Sequence, residues 1–311
     1  MIFDAHSDLP TYVFEERKRG ERNVLDRNFE RFFGGFITAR VASIWTPPDK
    51  RTDATTYGLE ALNLLLKDVE ESLNYEVVKK SGEMEKSIKS GRVALWIGLE
   101  GGEPIGESLE LLEVFHRLGL RVLTLTWSLR NAIGDGVFER TNGGLTNFGV
   151  EVIGKAEELG IVIDLSHINE AGFWDALDVT SFPVIASHSN AKRLCDNRRN
   201  LSDEQLKAIA ERDGVIGAVA IPSFIDSQKP TLEKYVEHIA YMADLVGYEH
   251  VGLGFDFVYY LKGWSGRGVE GFEDESRIPA LVSMLKERFS ERELKGILFD
   301  NFARVFERVV G

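Results

Sequence analysis

The chain has 311 residues, 43% of them hydrophobic and 28% charged, with a formal net charge of -13. That supplies apolar material for a large core, and the acidic excess argues against a nucleic-acid backbone as partner, which demands a basic face. A single cysteine, Cys195, excludes an intrachain disulfide and fits a reducing compartment. The polar start MIFDAHSDLP is unlike a signal peptide, and no apolar run approaches the ~20 residues of a membrane span, so a cytoplasmic chain with no membrane partner is expected.

Short apolar runs alternate with longer amphipathic ones along the whole chain. The strand-like runs are IFDAH (2–6), FITARVASIW (36–45), VALWIGL (93–99) and RVLTLTW (121–127), then IVIDLSH (161–167), VIASHS (184–189), VIGAVAI (215–221) and VGLGFDF (251–257). They are rich in Val, Ile and Leu and nearly continuous in apolar character, as strands covered on both faces should be. Helical patterns occupy 55–73, 107–119, 147–160, 169–179, 201–214, 231–247 and 277–289. Ser202 three residues before Gln205 forms a capping-box pattern, and Gly119, Gly160 and Gly214 stand where helices should end. No linker or low-complexity stretch divides the chain. Eight strand–helix units predict a single (β/α)8 TIM barrel over 1–311 with C-terminal helices. An open doubly wound sheet would announce a Gly-rich phosphate loop after its first strand, and none occurs.

Six of the eight runs finish on a residue suited to chemistry: His6 and Asp8, Glu100, Trp127, His167, His188 and Asp256. The C-terminal mouth of a barrel gathers such residues although they span 250 positions. His6 and Asp8 are two apart, which on a regular strand aims both to one face, and imidazole with carboxylate is a zinc-ligating pair. Alone, that pair is equally an ordinary strand end, and Glu100 in GLEGGEP alone reads more readily as a structural ion pair. Three imidazoles and two carboxylates at strand ends together have the composition of a dinuclear metal site that keeps a position open for water. His116 and His238 fall in helical patterns and His250 precedes a strand, so none is expected at the site. Nucleophile chemistry has no good candidate. GWSGR (263–267) misses the GxSxG pattern, and Ser166–His167 and Ser187–His188 are adjacent residues that should face opposite ways.

With these residues in place, the chain resembles the membrane (renal-type) dipeptidase family, the M19 metallopeptidases, in its soluble bacterial branch. The resemblance covers essentially the whole length, through DAHSD (4–8), GLEGGEPIG (98–106), LTLTW (123–127), IDLSHIN (163–169), PVIASHSNA (183–191), RRNLSD (198–203), HVGLGFDF (250–257) and GILFDNFARVF (296–306). It implies a metal-dependent hydrolase with two zinc ions, or other divalent metals, bridged by Glu100, one held by His6 and Asp8 and the other by His167 and His188. It further implies that Arg199 binds the free carboxylate of a dipeptide and that Asp256 handles protons at the bridging water. The neighbouring Arg198 reads as a surface or structural group, although the sequence alone does not separate the two firmly, and a homodimer is compatible with the family.

Two positions depart from the family pattern. Trp127 stands where the best-studied members carry a histidine, and the usual DFDG reads DFVY, with Val258 and Tyr259 replacing Asp and Gly. Indole donates one hydrogen bond and cannot titrate, so its help to a developing oxyanion is weaker. These departures keep open a lactonase or other amidohydrolase with the same metals, and a non-catalytic metal-binding relative. The segment 258–276 is either a specificity lid or a surface loop.

Overall fold

A computed structural model describes residues 1–263 and 268–311 of the chain. The apolar runs become parallel strands: β1 (Ile2–Ser7), β2 (Ile37–Trp45), β3 (Tyr75–Val77), β4 (Val93–Glu100), β5 (Leu120–Thr124), β6 (Val162–Asp164), β7 (Ile185–Ala186), β8 (Val215–Ala218) and β9 (Val251–Leu253). They pair in the order β2-β1-β9-β8-β7-β6-β5-β4, and β2 returns to β4 from Ala39↔Ala94 to Trp45↔Glu100, so the sheet closes on itself. Eight strands make the predicted (β/α)8 barrel. The ninth, β3, was not expected; it pairs with Val93–Leu95 on the edge of β4 that β5 occupies from Ile97 onward.

Helix Leu9–Lys18, following β1, was also not expected. Its buried side includes Thr11 and Arg17, and the Arg17 guanidinium lies 2.5 Å from Asp68 and 2.8 Å from Glu71. An ion pair in place of an apolar residue erases the periodic signal. No helix among the described residues is long and apolar enough to cross a membrane.

Alternate strand residues divide between two packed layers. Phe3, Val41, Trp96, Val122, Val162, Ile185 and Val215 form one cluster with Phe302, Val305, Phe306 and Val309 of the terminal helix Asn301–Val310. Phe3 stacks on Phe302 at 5.6 Å, and Phe306 meets Trp96 at 4.9 Å. The terminal helix touches β1, β6, β8 and β9, and Arg304 donates to the carbonyls of Asp213 and Glu249 just ahead of β8 and β9, so the helix lies across the N-terminal end of the barrel. The other faces, with Ile37, Leu95, Ile97, Leu123, Ile216 and Leu253, pack in the larger cluster that includes the surrounding helices.

Strand pairing stops short of the apolar runs, and that shapes the mouth. β6 ends at Asp164 and β9 at Leu253, while His167 and Asp256 beyond them adopt φ of 69° and 54°. Left-handed backbone is costly for residues with a Cβ and collects at functional sites. A buried charge network anchors the segment after β9. Arg40 Nε lies 2.9 Å from Asp4 Oδ2, and Arg40 Nη2 lies 3.3 Å from Glu275 Oε1. Tyr259 OH donates to Glu275 at 2.7 Å, and Asp4 Oδ1 accepts from Phe255 N at 2.9 Å.

The strands below the site approach closely at glycines. A Cβ on Gly254 would stand 1.8 Å from the Ser187 carbonyl oxygen, and one on Gly217 2.0 Å from the same atom. Gly154, exposed in helix Asn147–Leu159, faces open space. Urea unfolding should therefore show Gly254→Ala destabilised by about 1–3 kcal/mol through overpacking. Gly154→Ala should gain about 0.5–1 kcal/mol from helix propensity.

Candidate metal centre

The six predicted strand-end residues other than Trp127 meet in one cluster. Glu100, the last residue of β4, is its centre: Oε1 lies 2.9 Å from His167 Nε2, 3.6 Å from His188 Nε2 and 3.7 Å from His6 Nε2. The Nε2 atoms of His167 and His188 are 2.8 Å apart, and His6 Nε2 lies 3.8 Å from Asp256 Oδ1. Two groups have ligand atoms within 4.8 Å of one another, His6–Glu100–His188 and His6–Asp8–Asp256. His6 and Asp8 converge by a route other than the expected regular pleat. The β1 register shifts between Asp4 and Ser7, and Asp8 is the residue that caps helix Leu9–Lys18.

All six side chains are buried or nearly so, and the electrostatics follow from that. Burial pushes Asp8 up to about 7 and holds Glu100 and Asp256 well above the usual carboxylate range, each raised further by a neighbouring carboxylate, chiefly Asp8. Burial, with the Arg199 charge nearby, lowers His6 to about 3 and holds His167 and His188 well below the usual imidazole range. Such a pocket favours neutral imidazoles and disfavours its own carboxylate charge. Both ring nitrogens of His6 and Oδ1 of Asp8 are buried with no hydrogen-bond partner among the described residues. A divalent cation answers each of these needs, and nitrogen with carboxylate oxygen is a donor set that fits zinc.

A second layer fixes the imidazoles, and sequence reasoning missed it. Ser187 Oγ lies 2.7 Å from His188 Nδ1 and 2.6 Å from Asp164 Oδ2. The hydroxyl donates to the carboxylate and accepts from Nδ1–H, leaving the His188 Nε2 lone pair free to face the cluster. Ser128 Oγ stands 2.8 Å from His167 Nδ1 and does the same for that ring. Asp164 also accepts from Thr124 Oγ1 at 2.6 Å, Ser166 N at 3.0 Å and Ser187 N at 2.8 Å. The expectation that Ser187 and His188 face apart is therefore corrected. β7 ends at Ala186, so the pleat that would separate them is gone. The Ser187 hydroxyl is buried and committed to Asp164, a support for the ring.

The cluster opens into a cavity of about 350 Å³ that also meets Trp45, Trp127, Arg199, Phe224 and Val258. Arg199 is buried, which lowers it to about 10, and Arg198 is exposed. The Arg199 guanidinium lies over the Phe224 ring at 5.4 Å and donates to the His188 carbonyl at 3.3 Å, while its buried Nε has no partner among the described residues. Val258, Tyr259, Leu261, Gly268, Phe272 and Glu273 bring the 258–276 segment to the cavity wall. Most of the GWSGR motif, residues 264–267, lies outside the described residues. His238 is engaged with Ala191 N and Ile225 O, and His250 with Gly214 O, away from the cluster as expected.

Comparison with known proteins bears on the family and the fold. The family described as membrane dipeptidase (peptidase family M19) matches residues 1–310. The chain is 30% identical to Dipeptidase 3 of Mus musculus over 324 residues, covering 99% of this chain and 64% of the mouse protein. It is 29% identical to Dipeptidase verJ of Clonostachys rogersoniana, covering 99% of this chain and 84% of that protein. Among solved structures, dipeptidase AC, a metallopeptidase of family M19, superposes with a TM-score of 0.89 at 26% identity over 100% of this chain and 98% of its own. A Rhodobacter sphaeroides metallopeptidase liganded with a phosphinate mimic of L-Ala-D-Ala superposes with a TM-score of 0.88 at 26% identity over 99% of each chain. On its sequence and its fold, this chain belongs to the membrane dipeptidase family, peptidase family M19.

Proposed function

We propose that this chain is a dinuclear zinc dipeptidase that cleaves the peptide bond of a dipeptide, or a close analogue, bearing a free carboxylate. One observation carries the reading: the buried, underused guanidinium of Arg199 shares a cavity with a metal-type cluster. The family and the dipeptide mimic on the Rhodobacter sphaeroides relative support it.

His6 and Asp8 would hold one zinc ion, His167 and His188 the other, and Glu100 would bridge them. When bound, such a pair supplies a water acidic enough to ionise near neutral pH and polarises the scissile carbonyl. Arg199 receives the substrate carboxylate as a planar fork and so sets the distance from that terminus to the scissile bond. Asp256, beside His6, takes the proton from the attacking water and returns it to the leaving amine. Ser187, Ser128 and Asp164 keep the imidazole rings in the ligating tautomer. A second reading keeps the same metals and exchanges the substrate for a lactone or another amide; the replacements Trp127 and Val258 favour it.

Metal removal and reloading separate the readings. Chelated protein reloaded with zinc should bind two ions per chain and cleave L,L or L,D dipeptides. Binding of fewer than about one ion overturns the dinuclear centre. Full loading with lactone but no dipeptide turnover selects the second reading. Asp256→Asn should keep its metals and lose about 10²–10⁴-fold in kcat. Arg199→Lys should raise KM for dipeptides at least about tenfold, because a point charge cannot replace the fork. Asp164→Ala removes no ligand, yet zinc titration should show affinity reduced about 10–100-fold.

A further inference from the structure

Around the mouth, Trp45 ends β2, Glu100 ends β4, and Trp127 follows β5 by three residues. His167 and His188 come next beyond β6 and β7, with Arg199 and Phe224 further on after β7 and β8, and Asp256 and Asp8 complete the ring after β9 and β1. The two indoles therefore flank Glu100 on one side of the barrel, and Arg199 with Phe224 stands on the other. Their rings are 5.4 Å apart at 57°, and the Trp127 ring lies 6.0 Å from that of His167. Trp45 and Trp127 thus form a continuous aromatic wall beside the metal-type cluster.

Little on the cavity wall would suit an acidic side chain. The Ser128 hydroxyl is bonded to His167, and the Tyr259 hydroxyl to Glu275. Among the described residues lining the cavity, Arg199 is the one Lys or Arg, against the carboxylates of Asp8, Glu100, Asp256 and Glu273. An acidic side chain placed there would meet like charge and lose water without a partner.

We propose that Trp45 and Trp127 form the subsite for the side chain of the substrate's N-terminal residue and select large apolar side chains there. The inference rests on the dipeptidase reading above. With the C-terminal carboxylate on Arg199 and the scissile carbonyl over Glu100 and the histidines, the N-terminal residue must extend across the mouth to the indoles. Trp127, where the resemblance leads one to expect a histidine, exchanges a titratable group for apolar surface.

The test is kcat/KM of the zinc-loaded protein on two series, Xaa–Ala and Ala–Xaa, with Xaa as Gly, Leu, Phe or Glu. Leu–Ala and Phe–Ala should exceed Gly–Ala by about 10–100-fold, the range expected when a hydrophobic pocket discriminates by size, and Glu–Ala should be the poorest. Trp127→Ala and Trp45→Ala should each flatten the Xaa–Ala series by about tenfold and leave the order within Ala–Xaa unchanged. Trp127→Phe should keep the apolar preference, which separates a lost wall from a damaged fold; zinc content is read alongside. A flat Xaa–Ala series, or a preference that survives both alanine substitutions, overturns the subsite and leaves the dipeptidase reading standing. A loss of discrimination confined to Ala–Xaa overturns the assigned orientation. No cleavage of any dipeptide at full zinc loading overturns the dipeptidase reading and the subsite with it.

Discussion

Three carboxylates and three imidazoles lie buried or nearly so at a barrel mouth, with Arg199 the one arginine or lysine lining the cavity among the described residues. Burial destabilises Asp8, Glu100 and Asp256 as anions, neighbouring carboxylates add to this at Glu100 and Asp256, and burial destabilises the histidines as cations. A fold does not concentrate such groups for its own stability, because hydrophobic replacements of equal volume would serve it better. The arrangement makes physical sense around divalent charge, which turns the mutual repulsion of the carboxylates into ligation and uses the imidazoles in their neutral form. The closed sheet, the glycines beneath the site and the polar layer behind the rings all serve to hold that cluster.

The support is graded by distance from the cluster. Asp164 gathers four donors and, through Ser187, sets which nitrogen of His188 is free. Further out, Asp4 joins β1, β2 and the start of the segment after β9 through Arg40, Glu275 and Phe255 N. The left-handed turn that carries Asp256 is therefore adjacent to a buried ionic anchor, and its strained backbone is held by contacts on both sides. Gly254 and Gly217 let β8 and β9 approach the Ser187 carbonyl, one residue from His188. Fold and site share these atoms, so a packing defect here would be felt at the cluster.

Much of this was legible in the sequence, and for a definite reason. Strands buried on both faces leave continuous apolar runs, and a chemical residue at the end of such a run stands out against them. His6, Glu100, His167 and His188 were found that way, and barrel closure brought them together. What escaped depends on places where periodicity fails. β3 is three residues long, and helix Leu9–Lys18 buries Arg17 in an ion pair. The Ser187–His188 contact escaped because β7 stops before it and the strand rule no longer applies. Arg198 and Arg199 are indistinguishable as letters; only burial separates them.

The walls of the cavity were the least legible part, and their origin explains why. His6 and Glu100 lie within β1 and β4, and His167, His188 and Asp256 lie within three residues of strand ends, where single hydrogen bonds hold the backbone: His188 N donates to Ser166 Oγ and Asp256 N to the His6 carbonyl. Trp127, Val258 and Leu261 sit in loops after β5 and β9, whose paths follow from no single local pattern, and Phe224 sits in the four-residue helix Pro222–Ile225 after β8. Loops can exchange side chains without disturbing the ladder, so substrate preference can change while the ligand set stays intact. The chain shows that division directly. The resemblance drawn from the sequence keeps the metal-type residues in the family pattern, and the two departures it implies, at Trp127 and at Val258–Tyr259, both lie on the cavity wall. In the proposed function, Trp127 offers apolar area and no titratable group, so its selectivity would act on side-chain size and polarity while proton transfer would fall to Asp256.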